Sequence, residues 1–215
     1  AFYLRDAGSH TILTLDQFAE KVVTAAGQVE GRVTILVAQP TDELSLVLRV
    51  GYRLTQKPGG VPSLPEGAKD RIVTWKRFLD GARSVTQDVE DHGKTDTDAG
   101  AILYSGGTTG TTKGILLSNR NFNALGLQTA AASGYPSIVG FRMLAVMPIF
   151  HGFGLGVCIH TSLIGGMECI LVPKFNVDSY TELLKNKKPN FIAGVPTLYE
   201  ALLRNKNLEG VDLSY

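Results

Sequence analysis

A parallel α/β fold, a sheet flanked by helices, is the class this sequence predicts. Three observations point to it. The chain has 215 residues and is 44% hydrophobic, enough for one large domain or two small ones with a real core. Arg32-Val-Thr-Ile-Leu-Val-Ala38 is continuously apolar and rich in β-branched residues, as expected of a strand covered on both faces. From residue 101 onward, short apolar runs alternate with helix-length stretches, the βαβ pattern of a parallel sheet.

The elements follow in order. Thr11 to Leu15 is a short apolar run and predicts a strand. Asp16 then has the character of a helix N-cap, for a helix ending at Ala26 before Gly27. The strand at 32–38 comes next. Residues 39–70 give no clear reading, and Lys57 to Gly67 carries too much Pro and Gly for regular structure. Thr74 to Ala82 predicts a short amphipathic helix, with Trp75, Phe78 and Leu79 as packing residues. Residues 86–98 are polar and acidic, a solvated connector. They set the expected boundary between a first subdomain, 1–98, and a second, 99–215.

In the second half, Ala101 to Tyr104 predicts a strand that enters a Gly/Thr-rich loop, followed by a helix from Ser118 to Ala132. Met143 to Met147 predicts a strand, and Phe153 to Leu163 a buried helix that tolerates glycines. Glu168 to Val172 is a strand and Val177 to Asn186 a helix. Lys185, Lys187 and Lys188 lie at its carboxyl end, where the helix dipole favours cations. Phe191 to Ala193 is a strand, and Pro196 opens a last helix to Arg204. No internal repeat is present.

Composition and charge exclude several classes. Net charge is +1, from 21 Lys and Arg against 20 Asp and Glu, which argues against a broadly basic nucleic-acid binder. With 19% charged residues and this hydrophobic content, the chain is not intrinsically disordered. Two cysteines, Cys158 and Cys169, are too few for a disulfide scaffold or a structural zinc site. They read as buried thiols of a reducing compartment. The most apolar stretch, Met143 to Ile164, is interrupted by Pro148, His151, His160 and several glycines, so no membrane span is expected. The amino terminus lacks the basic start and apolar run of a signal peptide, and it lacks an initiator Met. A processed or excised piece of a longer chain is the expectation.

One interval stands out. No carboxylate occurs between Asp98 and Glu168, yet the interval holds Lys113, Arg120, Arg142 and 13 of the 24 glycines. Such a stretch suits a polyanionic ligand or a charge-poor core. The motif Tyr104-Ser-Gly-Gly-Thr-Thr-Gly-Thr-Thr-Lys-Gly114 favours the ligand. Its glycines let backbone N–H groups turn inward around an anion. The hydroxyls of Ser105, Thr108, Thr109, Thr111 and Thr112 add donors, and Lys113 adds a mobile positive charge. Read between a strand and a helix, this loop binds phosphates. It is not a Walker A loop, because Thr112 precedes and Gly114 follows the lysine. It also lacks the G-x-G-x-x-G spacing, as does Gly152-Phe-Gly-Leu-Gly156.

Residues 104–114 resemble the phosphate-binding signature of the adenylate-forming superfamily, which comprises acyl-CoA synthetases, peptide-synthetase adenylation domains and luciferases. Gly106 stands where Ser is commoner and Thr112 where Pro is commoner, a variant similar to the fatty acyl-CoA ligase branch. Met147-Pro-Ile-Phe-His-Gly-Phe-Gly154 resembles the family's Pro-x-x-His segment beside the acyl pocket. Gly194-Val-Pro-Thr-Leu-Tyr199 resembles its Val-Pro-Thr segment. The upstream residues 6–16 and 74–78 are similar more weakly.

The resemblance implies an internal part of the large N-terminal domain of an AMP-forming acid–thiol ligase. Such a ligase joins a carboxylic, fatty acid to ATP and passes the acyl-adenylate to coenzyme A. An adenylation domain for an amino or aryl acid, or a non-catalytic nucleotide-binding module, remains open. Ser105, Gly106, Gly107, Thr108, Thr109, Gly110, Thr111, Thr112, Lys113 and Gly114 would face the ATP phosphates. His151, as a catalytic residue, with Gly152, Phe153, Gly194, Val195, Pro196 and Thr197 would face the acid. ATP, Mg2+ and coenzyme A are the implied cofactors, with no metal ligand set assigned to this chain. The family's adenine, ribose and magnesium segments and its catalytic Lys would lie beyond residue 215, so this piece alone is expected to be inactive. A cytoplasmic place follows, with peripheral membrane contact open. His10 and His92 are read as surface residues, His160 as a backbone-bonded core histidine, and Phe150 and Phe153 as pocket or core aromatics.

Overall fold

The computed structural model describes residues 1–55, 69–85, 94–106, 112–172 and 176–214, without the side chains of Arg53, Thr55, Lys69 and Asp178. The chain divides into two compact units, Ala1–His92 and Gly93–Tyr215. The Pro/Gly-rich loop predicted at 57–67 and most of the acidic connector lie outside the described residues.

The first unit holds α1 (Phe2–Asp6), β1 (Thr11–Leu15), α2 (Ala19–Ala26), β2 (Thr34–Ala38), α3 (Leu46–Thr55), β3 (Ile72–Thr74) and α4 (Trp75–Arg83). Its sheet is parallel, in the order β1-β2-β3. The central position of β2 explains its unbroken apolar run, with Ile35, Leu36 and Val37 all buried. Ala19, Ala26, Val33, Ile35 and Val37 form the core, joined by Val22 and Val23 of α2 and Ile12 of β1. Thr74 caps α4 by accepting the Arg77 N–H at 3.3 Å. Trp75 packs as expected, its ring centroid 5.6 Å from that of Phe78, and its indole N–H donates to Glu43 at 3.0 Å.

One expectation for this unit is corrected, and two elements had no reading. Asp16 does not cap an α-helix: it begins a 3-10 turn, Asp16–Phe18, and its carboxylate accepts only the next residue's N–H, at 2.8 Å. The unclear stretch 39–70 contains a full helix, α3. The strand β3 was hidden by its brevity, since three residues carry no period.

The second unit holds β4 (Ala99–Ser105), β5 (Lys113–Ser118), α5 (Asn119–Ala132), β6 (Arg142–Ala145), a π-helical segment (Phe153–His160), α6 (Thr161–Gly165), β7 (Glu168–Leu171), α7 (Val177–Lys187), β8 (Phe191–Ile192) and α8 (Pro196–Leu203). Ser118 caps α5 in a reciprocal box. Its hydroxyl accepts the Asn121 N–H at 3.2 Å, and the Asn121 side chain accepts the Ser118 N–H at 2.9 Å. Pro196 sits in the first turn of α8, where its missing N–H costs nothing.

A parallel sheet of order β7-β6-β8 lies at the centre of this unit. Its residues alternate between faces with period two. Leu144 packs with Tyr180 and Leu184 of α7 and Leu198 of α8. Met143 and Ala145 pack with Cys158 of the π-helical segment. Helices therefore cover both faces, and each buried side chain of this size contributes about 1.5–3 kcal/mol. Burial also pushes the Cys158 thiol up in pKa. Gly166, at φ +66°, closes α6 in the left-handed conformation that an L side chain avoids.

The purely parallel expectation fails for one element. β4 and β5 form an antiparallel pair, with Ser105 opposite Lys113 and Tyr104 opposite Gly114. The helix predicted over 153–163 is present, but its first eight residues are π-helical. The wider turn is held by hydroxyls, with Thr161 donating to the Gly156 carbonyl at 3.2 Å and Ser162 to that of Cys158 at 2.5 Å. Among the described residues, no helix is long and apolar enough to cross a membrane.

Candidate functional site

The Gly/Thr loop joins β4 to β5, so it is a hairpin tip rather than a strand-to-helix turn. Ser105 ends β4, Gly106 is exposed with nothing within 4 Å of where a Cβ would stand, and Thr112 is half-buried. Gly107, Thr108, Thr109, Gly110 and Thr111 lie outside the described residues. The six residues of β5 separate the loop from α5, roughly 20 Å along the strand. The positive end of α5 therefore does not serve the loop. Lys113, at the start of β5, is the described cation nearest the loop in sequence.

The acid-free interval looks different in space than in sequence. Arg142, at the amino end of β6, pairs with Glu168 at 2.9 Å and donates to the Lys187 carbonyl at 2.9 Å. Arg120 approaches Asp96 at 3.8 Å. Two of its three cations are thus matched by carboxylates just beyond its ends. Among the described residues, Lys113 makes no ion pair.

The second predicted segment follows β6. The His151 N–H donates to the Pro148 carbonyl at 3.1 Å, and the His151 carbonyl accepts the Leu155 N–H at 3.0 Å. The ring is exposed, and its Nδ1 accepts the Phe153 N–H at 3.1 Å. A ring nitrogen that accepts carries no proton, so the neutral ring holds its hydrogen on Nε2. That N–H points away from the Phe153 backbone and is a donor for an incoming acceptor. Gly154 is required here, because a Cβ would collide with the Pro148 carbonyl and stand 2.7 Å from the Met147 oxygen. Gly152 packs against the strand before the hairpin tip, with Leu103 Cδ1 3.3 Å from where its Cβ would be. This contact ties the histidine segment to β4.

The third segment follows β8. Gly194 accommodates Leu198, while Val195, Pro196 and Thr197 are exposed at the start of α8. The Tyr199 hydroxyl donates to the Ile192 carbonyl at 2.9 Å and fixes the turn. Because β6 and β8 are parallel neighbours, with Leu144 opposite Ile192, the second and third segments leave the sheet side by side at its carboxyl edge. The chain runs from β6 to β7 on one side and then crosses back to β8 on the other. Such a reversal of strand order leaves a crevice at the carboxyl ends, the usual ligand position in open α/β sheets.

Other residues resolve differently. His160 is not bonded to backbone: its Nε2 lies 3.0 Å from Asn123 Oδ1, and its ring is 5.3 Å from Phe122. These residues border a small cavity of about 240 Å3 with Gly100 and Asn119. Phe150 is no core aromatic, at 84% exposed, whereas Phe153 is half-buried. His10 is exposed, as a surface residue should be, and His92 lies outside the described residues. A larger cleft of about 630 Å3, between Ile192, Tyr199, Leu202, Leu208 and Leu213, contains none of the predicted site residues.

The fold and its carboxyl-edge crevice are those of an open α/β ligand-binding domain, and comparison with known proteins makes the family specific. The AMP-binding enzyme family model matches residues 1–214, and the chain belongs to that family. It is 30% identical to a long-chain-fatty-acid–CoA ligase of Bacillus subtilis, over 99% of this chain and 37% of the relative. It is also 30% identical to a ligase of the same name from Yersinia pestis, over 98% of this chain and 37% of that relative. The chain thus spans little more than a third of these relatives' length. Among solved structures, the anthranilate CoA ligase AuaEII in complex with anthranoyl-AMP matches with a TM-score of 0.72. The identity is 20%, over 99% of this chain and 36% of that one. This last likeness concerns the fold.

Proposed function

We propose that this chain supplies the phosphate-holding and acid-facing parts of an AMP-forming acyl-CoA synthetase acting on fatty acids. The observation that carries the reading is the Gly152–Leu103 contact, which sets the exposed His151 segment against the strand leading into the Gly/Thr hairpin. The names of the 30%-identical relatives support the fatty-acid class.

In this reading a carboxylate oxygen of the acid attacks the α-phosphorus of ATP. The bond to the bridging oxygen breaks, and pyrophosphate leaves. The thiol sulfur of coenzyme A then attacks the acyl carbon, AMP departs and the thiol proton passes to solvent. Residues Ser105 to Gly114 hold the β- and γ-phosphates through backbone N–H groups and hydroxyls. Lys113, unpaired among the described residues, offsets the charge that grows on the leaving pyrophosphate. His151 Nε2–H donates to the acid's carboxylate, and Phe153, Gly194, Val195, Pro196 and Thr197 border the acid. Among the described residues no cluster of His, Cys, Asp or Glu fits a metal ion. No step is assigned to the implied Mg2+.

The test follows pyrophosphate release by the complete protein with ATP, magnesium and coenzyme A against carboxylic acids of increasing chain length. Release that depends on a fatty acid supports the reading; release only with amino or aryl acids moves the chain to that branch. Lys113→Ala is expected to lower kcat/KM for ATP about a hundredfold, the scale of losing one charged transition-state contact. Unchanged adenylation kinetics in that variant would refute the phosphate role.

A further inference from the structure

The two cysteines of the chain meet in one place, although they belong to different elements. In the parallel pair of β6 and β7, Cys169 stands opposite Met143, so both side chains lie on the same face of the sheet. Met143 and Ala145 bury that face against Cys158 of the π-helical segment, and Cys169 packs on the same cluster. The Cys169 thiol donates to the Cys158 carbonyl at 3.9 Å. The carbonyl oxygen and the sulfur of one cysteine are only a few ångströms apart. A side-chain rotation therefore separates this contact from a contact between the two sulfurs.

The two thiols differ in access. Cys158 is fully buried, while Cys169 is half-buried. Burial also favours the protonated Cys158 thiol, against a smaller opposing effect of its hydrogen bond with the Met147 backbone. An oxidant arriving from solvent thus reaches Cys169 first. Cys158 then lies beside an oxidised sulfur, screened from the oxidant itself. That is the arrangement of a resolving cysteine.

We propose that Cys158 and Cys169 are a peroxide-modified pair that closes into a reversible disulfide between the π-helical segment and β7. The Cys169 thiolate attacks one oxygen of hydrogen peroxide. The O–O bond breaks, Cys169 becomes a sulfenic acid, and the departing hydroxide takes up the proton that the thiol had released. The Cys158 sulfur next attacks the Cys169 sulfur. The S–O bond breaks, and this hydroxide leaves as water with the Cys158 proton. Peroxide is reduced and the thiol pair is oxidised, each by two electrons. The new bond ties to the sheet the segment that starts just after His151. It does not depend on the ligase reading.

The chain holds two cysteines, so an intramolecular disulfide has one identity and intact mass reads it directly. The experiment treats the 215-residue chain with hydrogen peroxide, then with iodoacetamide, and weighs the product. A monomer lighter by two hydrogens is expected, with neither thiol alkylated, and dithiothreitol should return both thiols. Cys158→Ala is expected to stop at the Cys169 sulfenic acid, which dimedone captures. Cys169→Ala should slow the oxidation of Cys158 about tenfold, because the buried thiol is then left to meet peroxide alone. The proposal is overturned if both thiols of the native chain still alkylate after peroxide. It is equally overturned if Cys169 oxidises while Cys158 stays free, or if the disulfide forms only once guanidinium has unfolded the chain.

Discussion

The two units each contain a three-stranded parallel sheet, and they differ in strand order. In the first, β1-β2-β3 runs across the sheet in chain order; in the second, β7-β6-β8 reverses around its middle strand. With right-handed crossovers, a steady progression puts successive connections on one face, whereas a reversal puts them on opposite faces. The core clusters agree. The first unit's core draws on α2, and Leu13 and Leu15 of β1 stay exposed. The second unit buries Leu144 under α7 and α8 on one side and Met143 against the π-helical segment on the other. Only the reversing sheet parts its loops at the carboxyl edge, and only there do the His151 and Pro196 segments emerge together. Similar apolar strands thus give a sheet with an exposed first strand in one unit and a crevice in the other.

The difference can be broken most forcefully at the strands. Leu144→Ala is expected to cost about 3–5 kcal/mol, because a fully buried side chain between two layers leaves a cavity. Leu13→Ala, on the exposed face of β1, should cost less than about 0.5 kcal/mol. Chemical denaturation of both variants measures the contrast, and equal losses would show that the first sheet is covered on both faces. Gly154→Ala comes next, at about 1–3 kcal/mol, since its Cβ meets the Pro148 and Met147 backbone rather than a movable side chain. If the turn instead relaxes without cost, its tight return toward Pro148 is not what fixes the His151 segment.

Smaller effects sharpen the comparison. His151→Ala in the complete protein should raise KM for the acid about tenfold, the value of one hydrogen bond to a charged acceptor, with KM for ATP unchanged. A matching rise for ATP would move His151 out of the acid's side of the crevice. In α3, Gly51→Ala should stabilise the first unit by about 0.5–1 kcal/mol, because an exposed helical glycine with no neighbour within 4 Å gains only helix propensity. Iodoacetamide at mildly alkaline pH should label Cys169 before Cys158. Burial excludes the reagent from Cys158 and keeps its thiol protonated. Equal labelling rates would mean that the π-helical segment opens readily.

Much of this was legible residue by residue. The run Arg32–Ala38 announced a buried strand because only a strand covered on both faces can be apolar at every position. Ser118 announced α5 because its hydroxyl has one orphan N–H to satisfy. The phosphate loop was legible as a composition of glycines, hydroxyls and one lysine. Its setting was not: the short β5 carries no unambiguous period, so strand-to-helix and hairpin readings share one sequence. The inward turn of Arg49 was equally hidden, since it depends on carbonyls at Asp42 and Leu44 that the helix must reach.

By itself the sequence determined the α/β class, most helices and strands, and the three segments that carry the family's motifs. Each is a local property: a period of two or 3.6, a cap, or a loop's donors. Tertiary structure alone decided that β4 and β5 are antiparallel and that Arg120 and Arg142 are spent on Asp96 and Glu168. It also decided that Gly152 brings His151 to the hairpin strand and that α3 turns its apolar side outward. These are pairings between distant residues, and charge or hydrophobicity counted along a chain does not contain the distances over which those forces act.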